Sequence, residues 1–161
     1  MKRALLATLL CVVARPAFGA GDDPAAIARS VGERFDAACS AGNVDAVLAL
    51  YRDDARVVYP GAGQTAVNRG ELRAIVAQTC VKGGPKITLL GYRAVWVDAA
   101  HTVVAALGDW SMSGTGSDGT PTTVPLRAVE VLVKTKAGWQ YAADHASIGV
   151  PPPPPPSPKS E

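Results

Sequence analysis

Apolar residues in the first half of the chain recur at intervals of three and four, which predicts amphipathic helices. Asp22-Asp23 followed by Pro24 is typical of a helix start, and Gly42 is typical of a helix end. The apolar stripe of this first helix consists of Ile27, Val31, Phe35 and Ala38. We therefore expect a helix that begins near Pro24 and buries one face.

Two more helices and a short strand follow. Asn43 caps a second helix, Glu71 to Cys80 form a third, and Arg56 to Tyr59 form a strand between them. We expect Asp53-Asp54 in a surface turn that leads into this strand. The predicted buried face of the second helix comprises Val44, Val47, Leu48 and Tyr51.

The pattern changes after the third helix to long segments rich in β-branched and aromatic residues. These segments are 86–98, 101–113, 124–136 and 139–148. Consecutive strands joined by short turns pair antiparallel. The order predicts an α+β fold, in which three N-terminal helices pack in a strongly curved antiparallel sheet.

The N-terminal segment differs from this central domain, which we place at residues 22–149. Residues 1–19 start with Lys2-Arg3, continue with an apolar run and end with Ala17-Phe18-Gly19, the pattern of a cleaved signal peptide. The apolar run is well short of the about 20 residues that span a bilayer. We expect an exported protein, periplasmic or secreted, with no membrane span.

The C-terminal segment, residues 150–161, contains the proline run Pro151 to Pro156. Such a run favours polyproline II structure and cannot build a packed core. A disordered tail is one interpretation, and a ligand for a proline-binding module is the other.

Removal of the predicted signal peptide changes the charge balance. The chain of 161 residues carries 16 basic and 14 acidic residues, a net charge of +2. Without Lys2, Arg3 and Arg15 it has 13 basic residues and a net charge of −1. This balance argues against a nucleic-acid partner bound through a basic face.

Cys39 and Cys80 are the two cysteines that remain after the leader. In an oxidising compartment they form either a disulfide or two buried free thiols, and the sequence leaves both open. The two His and two Cys are scattered without zinc-ligand spacing, and there is no glycine-rich phosphate loop. The sequence therefore predicts neither a metal nor a cofactor.

Two stretches of the chain resemble the nuclear transport factor 2-like superfamily, in its SnoaL-like and ketosteroid-isomerase-like branches. The first contains Phe35-Asp36-Ala37-Ala38, Ala41-Gly42-Asn43-Val44-Asp45 and Leu50-Tyr51-Arg52-Asp53-Asp54-Ala55; the second contains Gly138-Trp139-Gln140-Tyr141 and Asp144-His145-Ala146-Ser147. The resemblance covers about residues 24–149. It implies a cystatin-like cone of curved sheet, a pocket between sheet and helices, and a homodimer formed through the outer sheet face.

The residues that the isomerase branch uses for catalysis are replaced in this chain. Tyr59 stands where the resemblance implies a general-base Asp, Phe35 where it implies a hydrogen-bonding Tyr, and Arg127 where it implies a protonated Asp. A Tyr hydroxyl with an ordinary pKa of about 10 is a poor base near neutrality. Steroid isomerisation is therefore not expected.

Strand alternation predicts which side chains face the pocket. We place Arg127 on one strand face with Val129, and expect Arg127 and His145 to point into the same cavity as Tyr59. Trp110 is expected in a pocket wall or a dimer interface. The candidate ligand-binding residues are Phe35, Tyr59, Trp110, Arg127 and His145, and His145 is the candidate for acid–base catalysis.

The same alternation predicts that Glu130 and Asp144 lie on the opposite strand faces. Asp144 then cannot orient His145, which argues against a catalytic dyad. A purely structural interpretation also remains, in which Arg127 pairs with a buried acid and His145 bonds Tyr59.

Three functions fit these expectations. The first is a domain for binding or association, in which Arg127 and His145 hold a small apolar or carboxylate-bearing molecule. The alternative is a SnoaL-like enzyme of the isomerase or cyclase type, using His145 and Arg127 for acid–base chemistry on a carbonyl substrate. A dimerisation module with a self-filled pocket is the third.

Overall fold

The computed structural model describes residues 23–60, 64–116 and 118–148. The predicted signal peptide and proline-rich tail lie outside the described residues. The elements are α1 (Pro24–Ser40), α2 (Val44–Leu48), β1 (Tyr51–Val58), β2 (Thr65–Ala66), α3 (Arg69–Thr79), β3 (Lys86–Trp96), β4 (Val103–Thr115), β5 (Pro121–Thr135) and β6 (Gly138–Ile148). Within these described ranges, no helix has the length and apolar character needed to cross a membrane.

Each helix begins at a side-chain cap. The Asp23 carboxylate accepts from the backbone N–H of Ala25 at 3.0 Å, and Asn43 accepts from Ala46 at 3.0 Å. The side-chain oxygen of Asn68 accepts from the backbone N–H of Glu71, also at 3.0 Å. These caps satisfy backbone donors that have no partner within the helix, which is why the helices start at these residues.

The sheet has six strands in the order β2-β1-β6-β5-β4-β3. It is curved and does not close, and α1 packs across β3 and β4. Strands β3 to β6 form the antiparallel meander, whereas β1 lies parallel to β6 at the other side. The predicted α+β class, with N-terminal helices and a curved sheet, is confirmed.

The core lies between the helices and the inner sheet face. Its largest fully buried side chains include Tyr51, Tyr141, Leu48 and Leu132. A disulfide between Cys39 and Cys80, with the two Cα atoms 4.5 Å apart, joins the end of α1 to the end of α3. The two thiols that the sequence left open are therefore paired in the structure.

The region after α2 differs from the prediction. Tyr51 starts strand β1 instead of ending the second helix, because it pairs with Tyr141 of β6 and its backbone joins the sheet. Asp53 and Asp54 lie exposed within β1 and not in a turn. Tertiary pairing has overridden the local helical pattern here. Strand β2, which no sequence pattern predicted, pairs with β1 through Val57 and Ala66.

Candidate functional site

A pocket lined mainly by aromatic side chains opens between α1, the end of β1 and the inner sheet face. Its enclosed volume is about 40 Å³, which has room for a few water molecules or one compact functional group. The lining consists of Phe35, Tyr51, Tyr59, Pro60, Ile87, Trp110, Leu126, Ala128, Glu130, Tyr141, Asp144 and Ala146.

Two carboxyl groups share this pocket. Glu130 of β5 and Asp144 of β6 are directly paired across the strands, and Glu130 is only 2% exposed. The Tyr92 hydroxyl donates to Glu130 Oε1 at 2.9 Å, and the Tyr51 hydroxyl donates to Asp144 Oδ2 at 2.8 Å. Each carboxyl group thus has one oxygen held by a tyrosine and one oxygen left for another partner.

Four buried polar atoms in the pocket have no hydrogen-bond partner of normal geometry among the described residues, although Trp110 lies close enough to Glu130, and Tyr51 to Tyr59, to affect their pKa values. They are Tyr59 Oη, Trp110 Nε1, Glu130 Oε2 and Asp144 Oδ1. Buried polar atoms are normally satisfied, and leaving one unpaired costs about 1–3 kcal/mol. The pocket therefore concentrates buried polar atoms with which a polar guest or ordered water can pair.

The environment raises the pKa of both carboxyl groups. Burial is the main cause for Glu130, and the nearby Asp144 charge adds to it, which raises its pKa to about 8. Burial also raises the pKa of Asp144 to about 6, although the Tyr51 hydrogen bond and the nearby His145 oppose the shift. Near neutral pH the pair therefore holds one proton, and the stronger upward shift of the Glu130 pKa favours Glu130 as the protonated member.

A β-bulge in β6 aims Asp144 into the pocket. Val131 pairs with Ala143 and Leu132 pairs with Tyr141, so Ala142 is an extra residue. A bulge interrupts the alternation of faces. Tyr141 and Asp144 consequently line the same pocket although they are three residues apart.

The expectation that Arg127 and His145 face the pocket is wrong. The Arg127 side chain is 81% exposed and His145 is exposed, and both lie on the outer sheet face. The inner face of β5 carries Leu126, Ala128, Glu130 and Leu132. The valines of β5 misled the prediction, because they form an apolar outer face beside the exposed Arg127, while Glu130, the only carboxylate of this strand, points inward.

Arg127 and His145 instead line a shallow outer groove. Asp109 lies between two arginines there, with Arg93 at 3.2 Å and Arg127 at 3.9 Å. Leu107 and Val129 are exposed beside them, at 49% and 55%. The structural interpretation in which Arg127 pairs with a buried acid is also wrong, since Asp109 is 44% exposed.

Phe35, Tyr59 and Trp110 do line the pocket, as the sequence predicted. Phe35 and Trp110 meet edge to face with ring centroids 5.7 Å apart. Their role in ligand binding stays a prediction.

The sequence missed Glu130, Asp144, Tyr51 and Tyr141. A usable signal for Glu130 was present, since it is the only carboxylate of β5 and stands between Val129 and Val131. The position of Asp144 depends on the bulge, for which the sequence gives no clear mark.

Two glycines make room for Tyr92, the partner of Glu130. A Cβ on Gly32 of α1 would lie 2.7 Å from Tyr92 Cε2, and one on Gly108 of β4 would lie 2.8 Å from Tyr92 Cε1. Both separations are below any normal carbon–carbon contact. The absence of a side chain at both residues therefore leaves the space in which the Tyr92 ring lies with its hydroxyl on Glu130.

The arrangement can hold and move protons. A protonated carboxylic acid can donate while a neighbouring carboxylate accepts, and pKa values on either side of neutrality suit both roles. Within the described ranges, no group of three or more His, Cys, Asp or Glu residues is placed to hold a metal ion.

The sequence matches the SnoaL-like domain family over residues 28–151. No curated protein matches the sequence significantly. The match to a SnoaL-like family agrees with the resemblance found in the sequence.

Many solved structures are similar in fold, including the following three. A candidate calcium/calmodulin dependent protein kinase II association domain from Xanthomonas campestris is 20% identical with a TM-score of 0.68, covering 84% of this chain and 92% of that one. An NTF2-like protein with a cystatin-like fold from Novosphingobium aromaticivorans is 16% identical, with a TM-score of 0.64 and coverage of 76% and 80%. A candidate scytalone dehydratase from the same organism is 10% identical, with a TM-score of 0.68 and coverage of 78% and 83%. At these identities the likeness concerns the fold alone.

Proposed function

The chain belongs to the SnoaL-like domain family, and we propose that it is an enzyme that performs acid–base chemistry on a small molecule in the aromatic pocket. Asp144 is the general base and Glu130 the general acid. The observation that supports this most is the pairing of two buried carboxyl groups, each with one free oxygen in the same cavity. An enzyme of this kind was the alternative to a binding domain in the sequence analysis, with His145 and Arg127 as its residues; the proposal assigns the chemistry to different residues.

The geometry supports proton transfer at carbon next to a carbonyl or hydroxyl group. Asp144 Oδ1 would take a proton from carbon, while protonated Glu130 and the Tyr59 hydroxyl would donate to the oxygen on which charge develops. Where that oxygen is a hydroxyl on the neighbouring carbon, its carbon–oxygen bond breaks, it leaves as water and a double bond forms, which is dehydration. Where it is a carbonyl oxygen, it is retained as an enol, and isomerisation is complete when Asp144 returns its proton to a different carbon and the enol proton goes back to Glu130. A dehydratase name among the similar structures is consistent with the first outcome.

The pocket disfavours anionic substrates. Its described lining contains two acidic residues and no Lys, Arg or His. A carboxylate-bearing ligand, which the sequence allowed on the basis of Arg127 and His145, would meet like charge here without a basic partner. The substrate we propose is therefore a small molecule without negative charge.

A non-catalytic binding domain is the second candidate. It is supported by the small enclosed volume and by a similar structure named as an association domain. In this case the four unpaired polar atoms would fix the ligand without any proton transfer.

We further propose that the protein is exported and forms a homodimer. The disulfide between Cys39 and Cys80 is consistent with an oxidising compartment. The outer sheet face has exposed apolar side chains, including Leu107 and Val129, which favour burial against a second copy.

Proton exchange in heavy water tests the catalytic proposal. Small neutral ketones and enones are incubated with the protein, and loss of the proton signals next to the carbonyl is followed by NMR. We expect catalysed exchange that Asp144→Asn abolishes and that Glu33→Gln, an exposed helix variant, leaves unchanged. If no compound in the panel exchanges faster than in buffer, or if Asp144→Asn retains full activity, the catalytic proposal is wrong.

A further inference from the structure

The indole ring of Trp110 extends along β4 toward the position of Glu130. Trp110 is only 6% exposed and lines the pocket. Gly108 is the next residue on the inner face of β4, and a Cβ built on it would lie closer to Trp110 Nε1 than any normal contact allows. The next inward residue, Ala106, pairs with Glu130 of β5. The indole nitrogen is therefore displaced from its own backbone toward the row that contains Glu130.

Tyr92 meets the indole at the same place. Its Cε1 atom lies 2.8 Å from the Cβ position of Gly108, and its ring meets the Trp110 ring edge to face with centroids 5.9 Å apart. Its hydroxyl donates to Glu130 Oε1 at 2.9 Å. Phe35 contacts the indole edge to face as well, with centroids 5.7 Å apart. Packing between two rings restricts the indole, so its position beside Glu130 is well defined.

Trp110 Nε1 and Glu130 Oε2 are complementary atoms. Both are buried, and neither has a hydrogen-bond partner of normal geometry among the described residues. An indole N–H can only donate, whereas the oxygens of an ionised carboxylate can only accept. A charged acceptor also binds a donor more tightly than a neutral one. Trp110 therefore interacts more favourably with ionised than with protonated Glu130.

The pKa of Glu130 reflects this preference. Burial and the Asp144 charge raise it, whereas Tyr92 and Trp110 lower it. The other titratable groups in this part of the pocket are tyrosines, and burial raises the pKa of each above its ordinary value, so that they stay protonated near neutrality; they are Tyr51, Tyr59, Tyr92 and Tyr141. Among the described lining residues, Phe35 from α1 and Trp110 from β4 carry no titratable group.

We propose that Trp110 is a positioning residue for Glu130, and that its indole N–H donates to the carboxylate that forms when Glu130 gives up its proton. Because Oε1 accepts from Tyr92, the acid proton is on Oε2. When the proton passes to the substrate oxygen, the O–H bond of Glu130 breaks and its electron pair stays on Oε2. Trp110 then stabilises the new charge. The inference rests on the proposed function and deepens it, since it identifies what keeps the buried acid strong enough to donate.

Indole nitrogen-15 NMR of the native chain tests the contact without any substrate. The chain has three tryptophans, and loss of a signal in Trp110→Phe identifies that of Trp110. We expect this signal to move with pH at the same midpoint as the Glu130 carboxyl carbon, near pH 8, and Glu130→Gln to abolish the movement. The Trp139 signal, from outside the pocket, should not follow Glu130. A Trp110 signal that stays fixed, or that moves equally in Glu130→Gln, would overturn the inference.

A pH profile tests the effect on the acid. Trp110→Phe keeps an aromatic ring but has no N–H, so it should raise the pKa of Glu130 by about one. The alkaline limb of proton exchange should move to higher pH by the same amount, and the maximal rate should fall about threefold to tenfold. Trp139→Phe is the matched control and should change neither.

Gly108→Ala is the second variant, because it displaces the indole without removing it. It should shift the Glu130 pKa in the same direction, and it serves if Trp110→Phe fails to fold. An unchanged pKa of Glu130 in the folded variants would contradict the role of Trp110.

The two proposals fail separately. Joint titration of Trp110 and Glu130 without exchange of any compound would support their pairing and remove the catalytic proposal. Exchange whose alkaline limb is the same in Trp110→Phe would leave catalysis standing and remove the role of Trp110.

Discussion

Glu130 and Asp144 face each other across β5 and β6, and each is hydrogen-bonded by a tyrosine that lies outside this strand pair. Tyr92 reaches Glu130 from β3, and Tyr51 reaches Asp144 from β1. Tyrosines from the strands on either side of the β5–β6 pair thus position the two carboxyl groups in one pocket.

The first prediction concerns stability against pH. The pKa of Glu130 is raised in the folded protein, so the folded state holds this proton more tightly than the unfolded state. The resulting stabilisation is present at acidic pH and is lost as pH rises through about 8. Glu130→Gln should remove this loss, so that the variant gains about 2–4 kcal/mol relative to the native chain between about pH 5 and pH 9.

Urea unfolding at several pH values measures this difference. Glu33→Gln serves as the control, because it removes an exposed carboxylate from α1. Parallel stability curves for the native chain and Glu130→Gln would refute the prediction.

The second prediction concerns the Tyr51 hydroxyl. Its hydrogen bond to Asp144 favours the ionised carboxylate and so opposes the rise of its pKa. Tyr51→Phe should therefore raise the pKa of Asp144 further and destabilise the protein by about 1–2 kcal/mol at neutral pH. Carbon-13 NMR of the Asp144 carboxyl group measures the first effect, and an unchanged or lower pKa would count against the assigned hydrogen bond.

The third prediction concerns the space around Tyr92. Gly32→Ala should push the Tyr92 ring away from Glu130 and cost about 1–3 kcal/mol of stability. Gly91→Ala is the matched control, since a Cβ there meets nothing within 4 Å. Thermal unfolding compares the two variants, and equal melting temperatures would show that Tyr92 is not confined as described.

The fourth prediction concerns the disulfide. Cys39 and Cys80 are 41 residues apart in sequence, and on the loop-entropy model their bond stabilises the fold by about 3–4 kcal/mol. The double variant Cys39→Ala/Cys80→Ala should lose about this much in urea unfolding. A reductant should lower the stability of the native chain but not that of the variant; no effect on either would contradict the pairing.

The fifth prediction concerns the outer sheet face. Val129→Glu places a charge in the exposed apolar surface next to Leu107 and should convert the proposed homodimer into monomers. Sedimentation velocity measures the change, and Glu33→Gln is the control for an unrelated surface. A monomeric native chain, or a dimeric Val129→Glu variant, would show that this face is not the interface.

The sequence predicted the element order well because the periodicities of helices and strands differ clearly. Capping residues such as Asp23 and Asn43 marked helix starts that the structure reproduces. The parallel pairing of β1 with β6 could not be predicted in this way. It joins Tyr51 to Tyr141 over a long sequence separation, and local patterns carry no information on such contacts.

The sequence predicted the wrong inward-facing side chains on β5 and β6. Both faces of β5 are apolar over much of its length, so hydrophobicity alone does not fix which face points inward. If the inner and outer faces of β5 are exchanged, Arg127 is placed in the pocket instead of Glu130. In β6 the extra residue Ala142 shifts the alternation, which places Asp144 inside and His145 outside.

The two pocket carboxyl groups carry the proposed chemistry, and carbon-13 NMR of their side chains measures their protonation directly as pH is varied. We predict that Asp144 titrates near pH 6 and Glu130 near pH 8, so that one is ionised and the other protonated at neutrality. Titration of both groups below about pH 5, as in exposed carboxylates, would contradict the account.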